Sequence, residues 1–194
     1  MKHDQNYWQK RYVDHITGWD LGRASKPLKS IVDKIENKEL HILIPGAGNA
    51  YEAEYLIEKG FSNITVLDIA LQPLLQLKER LKNTDAIAIV QNDFFKHEGS
   101  YDLILEQTFF CALESRFRES YINKCHELLK KNGCIEGALF DFESKTNEPP
   151  YPATKKEYTN LFQKKFDIIN LDRCLISEEA RQGKELIIKM KKND

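Results

Sequence analysis

The sequence predicts an α/β protein with a doubly wound, seven-stranded and mostly parallel sheet, an antiparallel last strand and helices on both faces. Short runs of Ile, Val and Leu alternate with segments of helical period, which is typical of a parallel sheet covered by helices. A glycine-rich turn directly follows the first run, and the last two runs leave no room for a helix between them. With 194 residues, 41% of them hydrophobic, the chain can bury one core without disulfide or metal staples.

The first half of the chain predicts three strands, each preceded by a helical pattern. Pro27 suits a first helical turn and is followed by an apolar stripe. A second helix ends at Gly60, and Pro73 begins a third. The predicted strands cover residues 41–44, 64–69 and 86–90.

The second half adds four predicted strands, at residues 101–106, 134–142, 166–176 and 185–190. A long helix carries an apolar face over residues 117–128 and ends near Gly133, and a capping box from Thr154 to Glu157 begins another helix. Only residues 177–184 separate the last two strands. A parallel crossover needs about a dozen residues or more, so these strands should pair antiparallel. We expect one domain, residues 1–194, with an N-terminal lid at 1–26 and the α/β core at 27–194.

Composition and charge favour a small-molecule partner. The 29 basic and 30 acidic residues give a net charge of −1, which argues against nucleic-acid binding. The four cysteines form no Cys-x-x-Cys pair and no zinc pattern, so we expect reduced core thiols and no metal site. We also expect no membrane association, since no apolar run approaches the roughly 18–20 residues of a membrane span and the start lacks a signal peptide. A cytoplasmic location follows.

Candidate binding residues follow the first three strands, at the edge where such sheets bind ligands. Gly46 and Gly48 let a ligand approach the main chain, although a plain strand-to-helix turn has the same pattern. Asp68 ends the second strand about 20 residues later, where an acid accepts hydrogen bonds from a ribose; a helix N-cap is its alternative role. Asp93 follows the third strand and is placed to accept from an adenine amino group, with Phe94 beside the ring.

The same pattern helps to discriminate between two nucleotide cofactors. Tyr51 stands where the dinucleotide motif G-x-G-x-x-G has its third glycine, which argues against NAD. Trp8 and Tyr12 share a predicted helix face, and together with Trp19 they form either a lid over the site or an anchor for the N-terminal segment. A sulfonium is attracted to aromatic faces by about 0.5–2 kcal/mol, which favours S-adenosylmethionine.

A further motif, Glu148-Pro149-Pro150-Tyr151, is similar to the Asp-Pro-Pro-Tyr motif of DNA amino-methyltransferases. In those enzymes the motif directly follows the fourth strand, whereas here Glu106-Gln107-Thr108 does. The chain also lacks a basic patch and room for a target-recognition domain. We therefore interpret this segment as a rigid loop beside a substrate pocket.

Several short segments occur together in an order that resembles one family. They are Tyr7-Trp8, Gly18-Trp19-Asp20-Leu21-Gly22-Arg23, Ile44-Pro45-Gly46-Ala47-Gly48-Asn49, Val66-Leu67-Asp68-Ile69, Asn92-Asp93-Phe94-Phe95, Tyr101-Asp102-Leu103-Ile104, Phe110-Cys111-Ala112-Leu113, Pro149-Pro150-Tyr151 and Arg181-Gln182-Gly183-Lys184-Glu185. This order resembles the thiopurine S-methyltransferase superfamily, in particular its plant and bacterial halide and thiol methyltransferase branch. The resemblance spans nearly the whole chain.

The resemblance implies a methyltransferase that converts S-adenosylmethionine to S-adenosylhomocysteine. The expected cofactor-binding residues are Trp8, Tyr12, Trp19, Gly46, Gly48, Asp68, Ile69, Asp93, Phe94 and Gln107. The expected acceptor pocket is lined by Gln107, Phe110, Phe140 and Tyr151. The family often has Trp at the place of Tyr12, Cys at Ala47 and Gly at Ala50, and cofactor binding should tolerate these departures.

Departures near the acceptor bear on the substrate. The halide and thiol branch often has Tyr where this chain has Gln107 and Phe140, and Gly where it has Glu148. We therefore expect a thiol or sulfide acceptor rather than a halide. An ionised thiol needs no catalytic base, so we name none and expect catalysis by alignment in a dry pocket. A nicotinamide-dependent oxidoreductase and a catalytically silent cofactor-binding module remain alternatives, and the oligomeric state is not predicted.

Overall fold

One seven-stranded sheet organises the protein. The computed structural model describes residues 3–82, 84–144 and 146–193, so the first two residues of the expected lid lie outside the described residues. The strands are β1 (Ile42–Pro45), β2 (Ile64–Asp68), β3 (Ile87–Gln91), β4 (Tyr101–Gln107), β5 (Leu129–Phe140), β6 (Phe166–Arg173) and β7 (Glu185–Lys192). Their order in the sheet is β3-β2-β1-β4-β5-β7-β6. As expected, β7 runs antiparallel to β5 and β6, whereas the pairs among β1 to β5 are parallel.

The described residues form six α-helices beside the sheet. They are α1 (Gln5–Val13), α2 (Lys26–Val32), α3 (Tyr51–Glu58), α4 (Leu71–Arg80), α5 (Arg118–Leu128) and α6 (Lys155–Phe162). Alternate strand residues face opposite sides of a sheet, so Ile42 and Ile44 pack with α2, α3 and α4, while Leu43 packs with α5 and α6. Both faces are thus covered by apolar cores. Of the helices in the described part of the chain, none is both long and apolar enough to span a bilayer.

The strand order creates a crevice between β1 and β4. From β1 the chain proceeds outward through β2 to β3, and from β4 it proceeds the other way to β5. Ligands bind such sheets at this switch point, outside the carboxyl ends of the strands. Because β7 is reversed, its first residue, Glu185, pairs with the last residue of β5, Phe140. The loop before β7 therefore reaches the same edge as the glycine turn.

Two predicted boundaries differ from the structure. The helix predicted to end near Gly133 ends at Leu128, and β5 begins at once with Leu129, which pairs with Tyr101. The register then shifts between Tyr101 and Leu103. Regular pairing starts with Leu103 and Cys134, and Cys134 is where the apolar run predicted the strand to begin. β6 ends at Arg173, because the apolar residues that follow lie in an exposed loop, where Leu175 is 90% exposed.

Candidate functional site

A cavity of about 620 Å³ lies at the carboxyl ends of β1 to β5. Its walls come from the N-terminal segment, the turn after β1, the ends of β2 to β5 and the loop before β7. The main lining segments are residues 7–21, 44–52, 67–69, 92–95, 107–114, 140–142, 149–150 and 180–184, with gaps. The volume fits a ligand of the size of a nucleoside derivative together with a small second molecule.

The turn after β1 brings bare backbone to the cavity. Gly46 and Gly48 have φ angles of +56° and +54°, a region that glycine adopts without steric cost. A Cβ atom at Gly46 would overlap the ring of Phe109, and one at Gly48 would overlap the hydroxyl of Tyr12. Both glycines are therefore required by conformation and by space.

Asp68, at the end of β2, holds this turn in place. Its Oδ2 accepts a hydrogen bond from the Gly48 N–H at 2.8 Å, and its Oδ1 accepts from the Ala70 N–H at 2.8 Å. Asp68 is 6% exposed, and burial raises the pKa of its carboxyl to about 6. The alternative helix-cap role does not hold, since the N-cap of α4 is Ala70. Asp68 instead joins the glycine turn to the start of α4 and faces the cavity.

The end of β3 supplies a second acidic group beside aromatic rings. The side chain of Asp93 accepts from the Phe95 N–H at 2.9 Å and caps a short 3-10 turn. Phe94 is buried, with its ring 5.1 Å from that of Phe109. Ile69 also lines the cavity, next to Asp68. The structure thus brings the predicted residues at the ends of β1, β2 and β3 to one wall.

The N-terminal segment covers the cavity with aromatic side chains. The ring of Trp19 makes edge contacts with Trp8 and Tyr12, at centroid distances of 5.5 and 5.8 Å. Tyr12 is buried and reaches over the glycine turn. On the outer side of α1, Gln9 Oε1 accepts from the Leu71 and Gln72 N–H groups at the start of α4, at 2.8 and 3.0 Å.

Further contacts tie this segment to the rest of the protein. Arg181 Nη2 donates to the Trp19 carbonyl at 2.7 Å. Glu178 accepts from the Lys26 N–H at 3.0 Å and from Arg23 at 2.8 Å. At the opposite end, the His3 ring lies 3.0 Å from the Glu148 carboxylate. Since each contact joins residues more than 140 positions apart, sequence spacing gives no sign of them.

A polar contact also joins the segment to the glycine turn. Asn49 Nδ2 donates to Asp20 Oδ2, and Asp20 Oδ1 accepts from the Gly22 N–H at 2.7 Å. Glu52, in the first turn of α3, lines the cavity nearby. Burial raises the pKa of Glu52 to about 7, and the adjacent Asp20 contributes to the shift. Asp20 and Asn49 lie in the sequence segments that resemble the family, but neither they nor Glu52 form a pattern that predicts a binding role.

The loop after β4 is shaped by a buried carboxylate. Glu106 is fully buried, and its side chain accepts from the Phe109 and Phe110 N–H groups and from the Tyr121 hydroxyl. Burial raises the pKa of Glu106 to about 7. These bonds set the course of the loop that presents Gln107 to the cavity. The Gln107 amide nitrogen is buried and has no hydrogen-bond partner in the described protein, so it remains free to bind a ligand.

The β5 side of the cavity is apolar with one buried cation. Phe140 and Phe142 line it, with ring centroids 5.4 Å apart. The Arg181 guanidinium lies over the Phe140 ring at 5.5 Å and is 7% exposed. Its Nη1 lies 3.5 Å from a Glu185 carboxylate oxygen but makes no hydrogen bond within the part of the chain that the structure describes. Cys111 also lines this side, and burial raises the pKa of its thiol.

Two of the predicted acceptor-pocket residues do not line the cavity. Phe110 is fully buried, because the turn after β4 directs its ring into the core against Tyr121 and Tyr158. The Tyr151 hydroxyl donates to the Asn147 carbonyl, and the residue borders a separate shallow depression. Gln107 and Phe140 are in the cavity wall as expected. Arg181, for which the sequence predicted no role, also lines this side of the cavity.

Comparisons with known proteins agree with this geometry. A family model described as thiopurine S-methyltransferase matches residues 3–193. The chain is 27% identical to the probable thiol methyltransferase 2 of Arabidopsis thaliana, over 96% of this chain and 84% of the relative. It is 25% identical to thiocyanate methyltransferase 1 of Brassica oleracea, over 97% of this chain and 86% of the relative. The fold resembles that of Burkholderia thailandensis 1,6-didemethyltoxoflavin-N1-methyltransferase, solved with its substrate and S-adenosylhomocysteine, at a TM-score of 0.79 and 17% identity over 98% of this chain and 87% of that one.

Proposed function

The chain belongs to the thiopurine S-methyltransferase family and is an S-adenosylmethionine-dependent methyltransferase, and from this premise we propose that it methylates the sulfur of a small thiol or of sulfide. The family, the fold class and the cofactor expected from the sequence are thereby confirmed. The nicotinamide-dependent alternative is not favoured. The names of the matched plant relatives, thiol and thiocyanate methyltransferases, support a sulfur acceptor.

The side of the cavity formed by β1, β2 and β3, which we call the donor half, fits the cofactor. Gly46 and Gly48 line the cavity with main chain, and neither position has room for a Cβ atom. Asp68 keeps lone pairs free to accept from ribose hydroxyls, and Asp93 lies one strand further out, at the place of the adenine. Trp8 and Trp19 offer aromatic faces to the sulfonium.

The side formed by β4, β5 and the loop before β7, the acceptor half, carries the proposal of a thiol. The key observation is the buried Arg181 guanidinium above the apolar Phe140 ring. A nearby cation favours the ionised form of a bound thiol, and the apolar wall favours an organic body over water. A soft nucleophile that enters as its anion requires no side chain to act as a base.

When bound, S-adenosylmethionine would supply a methyl group on a positively charged sulfur. That sulfur is the leaving group when a soft nucleophile attacks the methyl carbon in line. In our proposal, the glycine turn and Asp68 fix the donor. Arg181 holds the negative charge of the acceptor beside it, and the Gln107 amide N–H donates to a ligand atom between the two halves. Phe140, with the aromatic rings of the N-terminal segment, keeps water out, so the reacting atoms remain aligned in a dry cavity.

Selectivity for thiols over halides follows from the same walls. A halide can pair with Arg181 as a thiolate can, but the rest of its hydration cost stays uncompensated in a pocket with few other donors. Gln107 offers one free NH2 group, and Phe140 offers no hydroxyl. A thiol has an apolar body that gains roughly 25 cal/mol per Å² on burial.

Turnover with a panel of acceptors tests the function. We expect conversion of S-adenosylmethionine to S-adenosylhomocysteine with organic thiols or sulfide, at a higher kcat/KM than with iodide, bromide or thiocyanate. A preference for a halide would refute the proposed selectivity. Cofactor binding without turnover of any acceptor would instead favour the silent binding module.

We extend the proposal to the cellular location of the enzyme, its partner and the role of its N-terminal segment. We propose a cytoplasmic protein, since Cys111, Cys125, Cys134 and Cys174 are free thiols. Its partner is a small-molecule acceptor rather than a nucleic acid, in line with the net charge of −1. We also propose that residues 1–26 act as a lid on the core, because their aromatic side chains cover the cavity.

A further inference from the structure

We propose that Asp20, held in place by Asn49, binds the α-ammonium group of the cofactor's methionine part. The inference rests on the donor half described above. It concerns donor recognition, which does not depend on whether the acceptor is a thiol. Asp20 thereby becomes a binding residue that the closed N-terminal segment contributes to the core.

The order of the strands locates the methionine part of the donor. From the edge of the sheet inward, β3 carries Asp93, β2 carries Asp68 and β1 carries the glycine turn, while β4 and β5 carry the acceptor half. A nucleoside held by Asp93 and Asp68 would bring its methionine part toward the turn after β1. Asp20, which bonds Asn49 of this turn, and Glu52, in the first turn of α3, both line the cavity there.

The charge of Asp20 is not compensated by the protein. Its Oδ1 accepts from the Gly22 N–H and its Oδ2 from the Asn49 amide, both neutral donors. No Lys, Arg or His of the described chain is within ion-pair distance of Asp20. For Glu52 next to it, burial raises the pKa more than the charge of Arg181 lowers it. This corner of the cavity therefore matches a ligand with a positive group.

Asn49 fixes the position of that carboxylate. Its side chain donates to Asp20, and its own backbone carbonyl accepts from Arg80, which in turn bonds Glu54 on α3 at 2.7 Å. The contact therefore ties the N-terminal segment to the turn that holds the donor. An amide in this place orients the carboxylate and leaves its negative charge in place. A lysine or arginine here would neutralise that charge.

A purely structural contact between lid and turn is the competing explanation. It predicts that weakening the contact lowers the affinity of every ligand beneath the lid by a similar factor. A direct bond to the ammonium instead affects only ligands that carry this group. The two explanations separate when ligands with and without the amino acid part are compared.

The experiment measures dissociation constants by calorimetry for S-adenosylhomocysteine, for its deaminated analogue and for 5′-methylthioadenosine. Asp20→Asn removes the charge but keeps the shape, and the Asn49 amide can turn to accept where it donated. We expect Asp20→Asn to weaken S-adenosylhomocysteine by about 10- to 100-fold, the range for a hydrogen bond to a charged group. The other two ligands should change less than about twofold. Asp14→Asn, at the exposed end of α1, is the matched control and should leave all three constants unchanged.

The native protein alone provides a second test that no folding defect can obscure. It should bind the deaminated analogue about 10- to 100-fold more weakly than S-adenosylhomocysteine. Equal affinity for the two, or equal weakening of all three ligands in Asp20→Asn, would overturn the proposal and leave Asp20 a lid contact. Failure of the thiol assay would not affect these constants, so the two proposals can fail separately.

Discussion

The donor half is lined by bare backbone at the glycine turn after β1, whereas side chains from distant parts of the chain build the acceptor half. Around Gly46 and Gly48 the ligand surface is main chain, and Asp68 fixes it through two backbone N–H groups. Around Phe140 the surface consists of side chains, with Arg181 brought in by the loop before β7. A main-chain surface tolerates few substitutions, while a side-chain surface can change one residue at a time.

The largest effect that this comparison predicts is that of Gly46→Ala. The new Cβ would overlap the Phe109 ring, and a φ of +56° costs a residue other than glycine about 1–3 kcal/mol. We expect the dissociation constant of S-adenosylhomocysteine to rise more than about 100-fold, together with a lower melting temperature. Gly183→Ala is the control, since its φ is +72° but nothing lies within 4 Å of its Cβ position. Equal losses in both variants would show that backbone strain alone, and not the cradle, accounts for the effect.

Asp68→Asn comes next, because it removes the charge and one of the two backbone bonds. We expect donor affinity to fall by about 1.5–3 kcal/mol, and the unfolding free energy to fall as well. The pH dependence sharpens the test. Burial raises the pKa of Asp68 to about 6, and the ionised form is the one that accepts from the ribose, so donor affinity should decrease as the pH falls through about 6. Calorimetry between pH 5 and 8 that gave the same slope for native protein and variant would contradict the ribose assignment.

A smaller effect, confined to the other half, is expected for Arg181→Gln. Loss of the guanidinium should lower kcat/KM for a thiol by about tenfold, the cost of one charge-assisted interaction. Glu178→Gln removes a lid contact of the same loop and leaves the acceptor wall intact, so it measures the contribution of the lid. The two variants should share any change in donor affinity and differ in acceptor kinetics. If their thiol kinetics also coincide, Arg181 acts on the lid only.

The smallest expected effect is a change in the preference between acceptors and not in the overall rate of methyl transfer. Gln107→Tyr together with Phe140→Tyr adds hydroxyl donors to the acceptor wall. We expect the ratio of kcat/KM for iodide to that for a hydrophobic thiol to rise by up to about tenfold, with donor affinity unchanged. A ratio that stays constant would mean that these positions do not select the acceptor.

Local patterns were sufficient to predict the seven strands, the reversal of the last one and the glycine turn after β1. Apolar runs and glycine turns are short-range features, so the ends of β1, β2 and β3 could be placed together from the sequence. The antiparallel direction of β7 could be predicted because only eight residues separate the last two predicted strands, which is too few for a parallel crossover. Phe110 was misplaced because the course of the turn after β4 depends on Glu106, a buried carboxylate whose partners no periodicity reveals. The contacts of Glu178 and Arg181 with the N-terminal segment join residues that are far apart in the sequence. They become visible only in the folded structure.

The reversed strand β7 gives the enzyme a loop that can vary on its own. If β7 were parallel, the loop before it would open at the opposite edge of the sheet. Here Glu185 pairs with Phe140, and Ala180, Arg181 and Lys184 of the loop before β7 line the cavity. Mutations in that hairpin tip can alter the substrate range while the crossover connections that place the nucleoside remain intact. Natural selection or directed evolution can therefore change what is methylated without rebuilding what donates the methyl group.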